Sequence, residues 1–228
     1  MKKKWWMIPP AVLVLAAIAF LVYTLNYYRA TDEGMKALES DSVTVERTDF
    51  GWRFDGPAED TALIFYPGAN VEEAAYAPLL HRLAENGMDV FVVKMPFHFA
   101  LFGENLADRV LERYDYGHWY IGGHSLGGVM AASYAASHEL DGVILLASYP
   151  TKALEEPILL LYGTEDGVLN LTRVEASAQF GSVETVAIRG GNHANFGNYG
   201  EQAGDNAARI SAEEQQEQAV AAIADWLP

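Results

Sequence analysis

Cysteine is missing from all 228 residues, which excludes disulfides, thiolate nucleophiles and thiolate metal sites together. The compartment stays open, because an oxidising environment tolerates a cysteine-free chain. Positive charge is scarce: 15 Lys and Arg stand against 31 Asp and Glu. Lys2, Lys3, Lys4 and Arg29 are the only charges before residue 31, so the remainder carries 11 basic groups against all 31 acidic ones, a net of −20. A surface of that sign repels phosphate backbones and argues against a nucleic-acid partner. None of the six histidines forms a pair with ligand-like spacing, so no metal is expected. Neither repeats nor low-complexity tracts are present, and no cofactor motif stands out.

Apolar residues make up half of the chain and include 12 Tyr, 10 Phe and 5 Trp, enough for a sizeable core and too many for disorder. One long apolar run stands at the N-terminus. Residues 5–28 carry no charge and 11–23 (AVLVLAAIAFLVY) are continuously apolar, long enough to cross a bilayer as a helix. Trp5 and Trp6 on one side, and Tyr23, Tyr27 and Tyr28 on the other, stand where interfacial aromatics belong. The lysine cluster would stay cytoplasmic, leaving the acidic portion outside. A cleaved secretory signal is the alternative; the absence of a small-residue cleavage site after the apolar run favours an uncleaved anchor. The expected organisation is therefore a membrane anchor over 1–30, a linker or short helix over 31–42, and a folded domain over 43–228. The localisation that follows is a single-pass cell-membrane protein facing outward, or a secreted one after cleavage.

Strand-like runs recur at 43–46, 50–54, 61–66, 90–94, 118–121, 143–147, 158–162 and 183–188. The middle ones (ALIFY, VFVV, VILLA, ILLLY) are apolar without alternation, as in parallel strands covered on both faces. Helix-like segments fall between them at 72–86, 105–114, 126–138, 171–178 and 211–227, the last opened by a capping-box pattern at Ser211. This alternation predicts an α/β fold, a mostly parallel sheet with helices on both faces. Its first two strands, joined by a few residues, start it antiparallel. Only SYPTKALEEP separates the strands at 143 and 158, so no cap domain fits there.

Gly123-His124-Ser125-Leu126-Gly127 matches G-x-S-x-G, with a strand (HWYI) before it and a helix (LGGVMAASYAA) after it. That context lifts a serine hydroxyl above the carboxyl edge of a sheet on a strained turn. A serine needs a base, and the base an orienting acid. Asp166 lies in an acidic turn after ILLLY, with Glu165 as its neighbour and competitor, and His193 lies in a glycine loop after VETVAI. The order Ser125, Asp166, His193 puts all three at carboxyl ends of strands, where open sheets carry their sites. Oxyanion donors are expected from the N–H of Leu126 and, in the turn Pro67-Gly68-Ala69-Asn70, from that of Ala69, with Asn70 as the alternative.

The motifs GHSLG, GTEDG, GGNHANFG and YPGAN, over about 43–228, resemble those of the α/β-hydrolase superfamily and, within it, the compact, cap-less dienelactone-hydrolase-like group. That resemblance implies an α/β-hydrolase fold with Ser125 as nucleophile, His193 as base and Asp166 as orienting acid. Dienelactone hydrolases proper use cysteine, so here it implies a small-molecule ester or related acyl substrate instead. Thioesterase, acyltransferase and peptidase chemistry would use the same residues, and a non-catalytic surface binding protein is the reading from another class. Candidate substrate-binding walls are Phe97, His98, Phe99 and Phe102, with His124, Phe196 and Tyr199. The glycine- and asparagine-rich loop over 190–210 is a candidate lid.

Overall fold

The computed structural model describes residues 10–39, 42–57 and 60–228. Among the described residues eight strands form one sheet: β1 (Thr44–Arg47), β2 (Gly51–Asp55), β3 (Thr61–Tyr66), β4 (Asp89–Val93), β5 (His118–His124), β6 (Gly142–Leu146), β7 (Ile158–Gly163) and β8 (Val183–Ile188). Their spatial order is β1-β2-β4-β3-β5-β6-β7-β8. β1 pairs antiparallel with β2, and β2 antiparallel with β4; every pairing from β4 onward is parallel. The reason lies in the sequence. Parallel neighbours need long crossovers, and the apolar middle strands are those with helical segments between them.

Successive residues of a strand face opposite sides, and in the central strands both sides are dry. Leu63 and Phe65 of β3, with Val90 and Val92 of β4, pack against the helices α3 (Ala77–Glu85) and α7 (Ala212–Trp226). Ala62, Ile64 and Tyr66 of the same strand face α5 (Leu126–Ala135), through Met130, Ala131 and Tyr134. That is why ALIFY shows no alternation. Each Leu, Ile or Phe buried this way contributes roughly 1.5–3 kcal/mol. α7 begins with the expected capping box, Ser211 and Glu214 bonding each other's backbone N–H, and α4 (Asp108–Leu111) and α6 (Leu171–Glu175) are shorter than expected. They continue from or into 3-10 turns, which supplement their few α-type bonds.

The N-terminal segment differs most from expectation. α1 (Pro10–Leu25) spans 16 residues, and among the described residues no helix is long and apolar enough to cross a membrane. The first part of the expected anchor, residues 1–9, lies outside the described residues. Following α1, the stretch read as a linker or short helix is the latter: α2 (Asp32–Lys36), capped by the Thr31 side chain, runs into a 3-10 turn at Ala37–Glu39. Ala37 and Leu38 pack on the core. Residues 26–31 are also tied in. Tyr28 N–H donates to the Asn70 carbonyl at 2.8 Å, Glu72 N–H to the Tyr28 carbonyl at 2.9 Å, and Thr31 N–H to the Asn198 carbonyl at 2.8 Å. Residues 26–38 are therefore tied to the folded body ahead of residue 43.

Candidate active site

Every residue of the expected triad stands at the carboxyl edge of the sheet. Ser125 follows β5 directly and caps α5. Its backbone sits at φ 52° and ψ −124°, a conformation that side chains rarely adopt. Three hydrogen bonds hold it there. Ser125 N–H donates to the Leu146 carbonyl at 2.9 Å; its own carbonyl accepts from Val129 N–H at 3.2 Å and from the Ser148 hydroxyl at 2.8 Å. A Cβ at Gly123 would lie 2.5 Å from the Tyr66 carbonyl oxygen, and one at Gly127 2.1 Å from the same atom. The glycines on either side of the serine are thus required by contact with the end of β3.

His193 and Asp166 meet. The ring Nδ1 of His193 lies 2.8 Å from Asp166 Oδ2, and both side chains are buried, 2% and 0% exposed. The other carboxylate oxygen accepts from Val168 N–H at 2.8 Å and Leu169 N–H at 2.7 Å. Asp166 therefore shapes its own turn with one oxygen and orients the imidazole with the other. An ionised carboxylate accepting at Nδ1 fixes a proton there and leaves Nε2 as an acceptor. That Nε2 is buried with no hydrogen-bond partner among the described residues. Glu165, the competitor, turns away to Arg209 Nε at 3.2 Å.

The turn after β3 lines the cleft that holds Ser125. Asn70 takes up a left-handed conformation, φ 60°. Its N–H donates to the His98 carbonyl at 2.7 Å, and its amide nitrogen to the Asn26 carbonyl at 3.1 Å. The Asn70 N–H is therefore committed, whereas Ala69 N–H has no acceptor among the described residues. Leu126 N–H, at the first position of α5, precedes the helix's own bonding ladder.

The cleft containing Ser125 encloses about 630 Å³ and is lined by Gly68, Ala69, Asn70, Val71 and His124, with Tyr23, Asn26, Tyr28, Val168, Gln202 and Ala203. Of the seven expected wall residues only His124 is among them. Phe196 is fully buried and Tyr199 nearly so, both in the core beneath. Phe97, Phe99 and Phe102 turn toward α1, and His98 stacks on Tyr27 with ring centroids 3.9 Å apart. Tyr23, Asn26 and Tyr28 went unread as cleft residues because their sequence signal is that of a membrane helix end. The 190–210 loop is pinned: Asp205 accepts from Gly167 N–H and Ala194 N–H, both at 2.9 Å, and the Asn192 backbone exchanges two bonds with buried Gln215. Only Gln202 and Ala203 of this loop reach the cleft.

His124 ties the two sides of the site together. Its Nδ1 lies 2.9 Å from the Tyr76 hydroxyl, which accepts from Gly68 N–H at 3.0 Å, and its Nε2 lies 3.0 Å from the His193 carbonyl. A neutral ring satisfies this chain, with Tyr76 donating to Nδ1 and Nε2–H donating to the carbonyl. Burial, and then the neighbouring His193, push the His124 pKa well below its ordinary value. The consequence for stability has a definite sign. Above about pH 6.5 neither state binds a proton at this position; below it the unfolded chain does and the folded one cannot, so stability falls by up to about 1.4 kcal/mol per pH unit. Urea unfolding between pH 7.5 and 5.5 should show a shallower loss in His124→Gln than in the parent, whatever the offset between them. Parallel slopes would rule out His124 as the source.

The sequence matches the Alpha/beta hydrolase family over residues 62–217. Over 101 residues, 40% of this chain, it is 31% identical to phenyloxazoline synthase MbtB of Mycobacterium tuberculosis, and the match spans 7% of that protein. Among solved structures it is similar to carboxyl esterase 2 of the fungus Tuber melanosporum (12% identity, 89% of this chain, 92% of the other, TM-score 0.62). It is also similar to the monoacylglycerol lipase of Paleococcus ferrophilus (16% identity, 80% and 98%, TM-score 0.60). At such identities the likeness is one of fold. The sheet order, the strand–serine–helix turn and a match over most of the chain agree: the chain belongs to the alpha/beta hydrolase family.

Proposed function

We propose that the protein is a serine hydrolase of carboxylic esters, with Ser125 as nucleophile, His193 as base and Asp166 as the acid that orients it. The observation that carries this reading is a buried histidine bonded to a buried carboxylate through Nδ1, with its Nε2 unpartnered among the described residues, at the same sheet edge as a serine on a strained turn. In the proposed cycle, Nε2 takes the proton of the Ser125 hydroxyl as Oγ attacks the acyl carbon. Ala69 N–H and Leu126 N–H hold the negative oxygen, and the imidazolium returns its proton to the departing alkoxide. Water then attacks the acyl-enzyme, giving its proton to Nε2, and the acid leaves as Ser125 regains its hydrogen. The ester reading also agrees with the names of the esterase and lipase that share the fold. Thioesterase, acyltransferase or peptidase activity would run on the same residues, and a panel of matched esters, thioesters and amides separates them. Labelling by a fluorophosphonate is the direct test: a wild-type protein that does not react, or a Ser125→Ala variant that reacts equally, would defeat the proposal.

Attachment to a bilayer through residues 1–30, with the acidic body outside the cell, is proposed on the charge and apolar pattern of that stretch. The catalytic body is proposed to begin at Asn26, because residues 26–31 brace the turn that carries Ala69. A chain starting at Asn26 is therefore expected to hydrolyse a soluble ester at close to the full-length rate. One starting at Asp32 should be slower by about tenfold or more, because misplacing a donor by an ångström costs on that scale. Steady-state kinetics on the two truncations checks this, and equal rates would remove residues 26–31 from the site.

A further inference from the structure

The cleft opens beside the end of an apolar helix. On α1, Val12, Leu13, Val14, Leu15, Ile18 and Leu21 are 50–65% exposed. A helix that is apolar all round and exposed belongs in a membrane rather than in water. Its last turns do not leave the body of the protein. Phe20 makes edge contacts with Phe97 and Phe102 at ring separations of 5.8 and 5.9 Å, and Tyr23 lies 5.9 Å from Phe99. Tyr23 also lines the cleft that holds Ser125.

Apolar exposure elsewhere concentrates at this rim. Apart from α1, the large apolar side chains exposed among the described residues are Met35, Phe97, Leu101, Phe102, Val168 and Leu171. Phe97, Leu101 and Phe102 belong to the loop against α1, and Val168 lines the cleft. Leu101 is the most exposed of the six, at 61%. The rest of the surface is strongly acidic, which suits water and not an apolar contact. An apolar collar continuous with a membrane-type helix fits a lipid surface, with Tyr23, Tyr27 and Tyr28 at the level where aromatic side chains meet headgroups.

We infer that the cleft takes its substrate from the bilayer in which α1 is seated, so that the substrate class is a long-chain acyl ester whose chain stays in lipid, entering the cleft past Tyr23 at the end of α1. This inference rests on the proposed serine hydrolase reading and on the proposed attachment of the N-terminal stretch to a bilayer. The chemistry is unchanged: the ester's acyl carbon is attacked, an alcohol and a fatty acid leave, and one water is consumed.

The test uses the full chain reconstituted in phosphatidylcholine vesicles and two esters sharing one leaving group, p-nitrophenyl palmitate in the bilayer and p-nitrophenyl butyrate in the water. Leu101→Glu places a charge on the collar outside the cleft. It should lower turnover of the palmitate by about tenfold, a 1.4 kcal/mol penalty, and leave the butyrate within about twofold. Leu101→Ile should behave as wild type on both. The inference is overturned if wild type cleaves butyrate but not palmitate, or if Leu101→Glu changes both esters alike or neither. It is equally overturned if α1 and Leu101 prove to mediate pairing of two copies without any effect on palmitate turnover. Failure of the underlying hydrolase reading looks different, since Ser125 would then not be labelled by a fluorophosphonate in vesicles or in detergent.

Discussion

Ser125→Ala is expected to abolish ester turnover, a loss on the order of a millionfold where nucleophile and base act as a unit. The fold should be untouched. The strained conformation of residue 125 is held by backbone bonds to Leu146 and Val129 and by the Ser148 hydroxyl on the 125 carbonyl, and alanine keeps all three. Thermal midpoints of the two proteins should therefore agree within a few degrees. His193→Ala should be nearly as damaging, since it removes the proton acceptor. Asp166→Asn should retain more, a loss of roughly ten-thousandfold, because it spares the geometry but lets the imidazole adopt the wrong tautomer. A double variant, Ser125→Ala with His193→Ala, should be no worse than either alone. Burst kinetics and fluorophosphonate labelling together read these outcomes. Independent, additive losses at 125 and 193 would sink the claim that the two work on one proton.

Much of this arrangement was legible in the chain because its signals are local. A strand, a turn crowded with glycine and a helix with small residues leave few places for Ser125. The central strands β3, β4, β6 and β7 were the plainest to read, since a parallel strand with two dry faces writes itself as an unbroken run. The choice of Asp166 over Glu165 was legible only as a competition. It is decided by direction: adjacent side chains on a turn point apart, one toward His193 and the other toward Arg209.

The cleft walls were not legible, and the reason is physical. Aromatic residues near a catalytic motif in sequence looked like walls, yet Phe196 and Tyr199 are drawn into the core by burial of their rings. The 96–102 aromatics are drawn outward to α1. The actual walls come from Tyr23, Asn26 and Tyr28, about a hundred residues from Ser125, brought in by a short parallel bridge between Tyr28 and Val71. No local pattern announces a contact of that kind. It arises from backbone groups of residues 28 and 70–72 that would otherwise lack partners in a semi-buried turn.

Gly127→Ala is expected to destabilise the protein by about 3 kcal/mol or more, against the ordinary direction of such a change. Within a helix, alanine is better than glycine by about 1 kcal/mol, and residue 127 is the second residue of α5. Contact decides the sign. The new Cβ would sit 2.1 Å from the Tyr66 carbonyl oxygen and 2.3 Å from that of Pro67, both backbone atoms that cannot rotate aside. Relief requires α5 to move off the end of β3, at a cost typical of overpacking or above it. The same movement separates Leu126 N–H from Ala69 N–H, two residues after Pro67, so the proposed oxyanion donors would part. Losing one such donor costs about a hundredfold to a thousandfold in turnover. Stability and activity should therefore fall together in this variant, whereas in Ser125→Ala only activity falls. Chemical denaturation beside ester kinetics distinguishes the two patterns. A Gly127→Ala protein as stable and as active as its parent would show that the close approach of helix and strand is not what the glycine is there to permit.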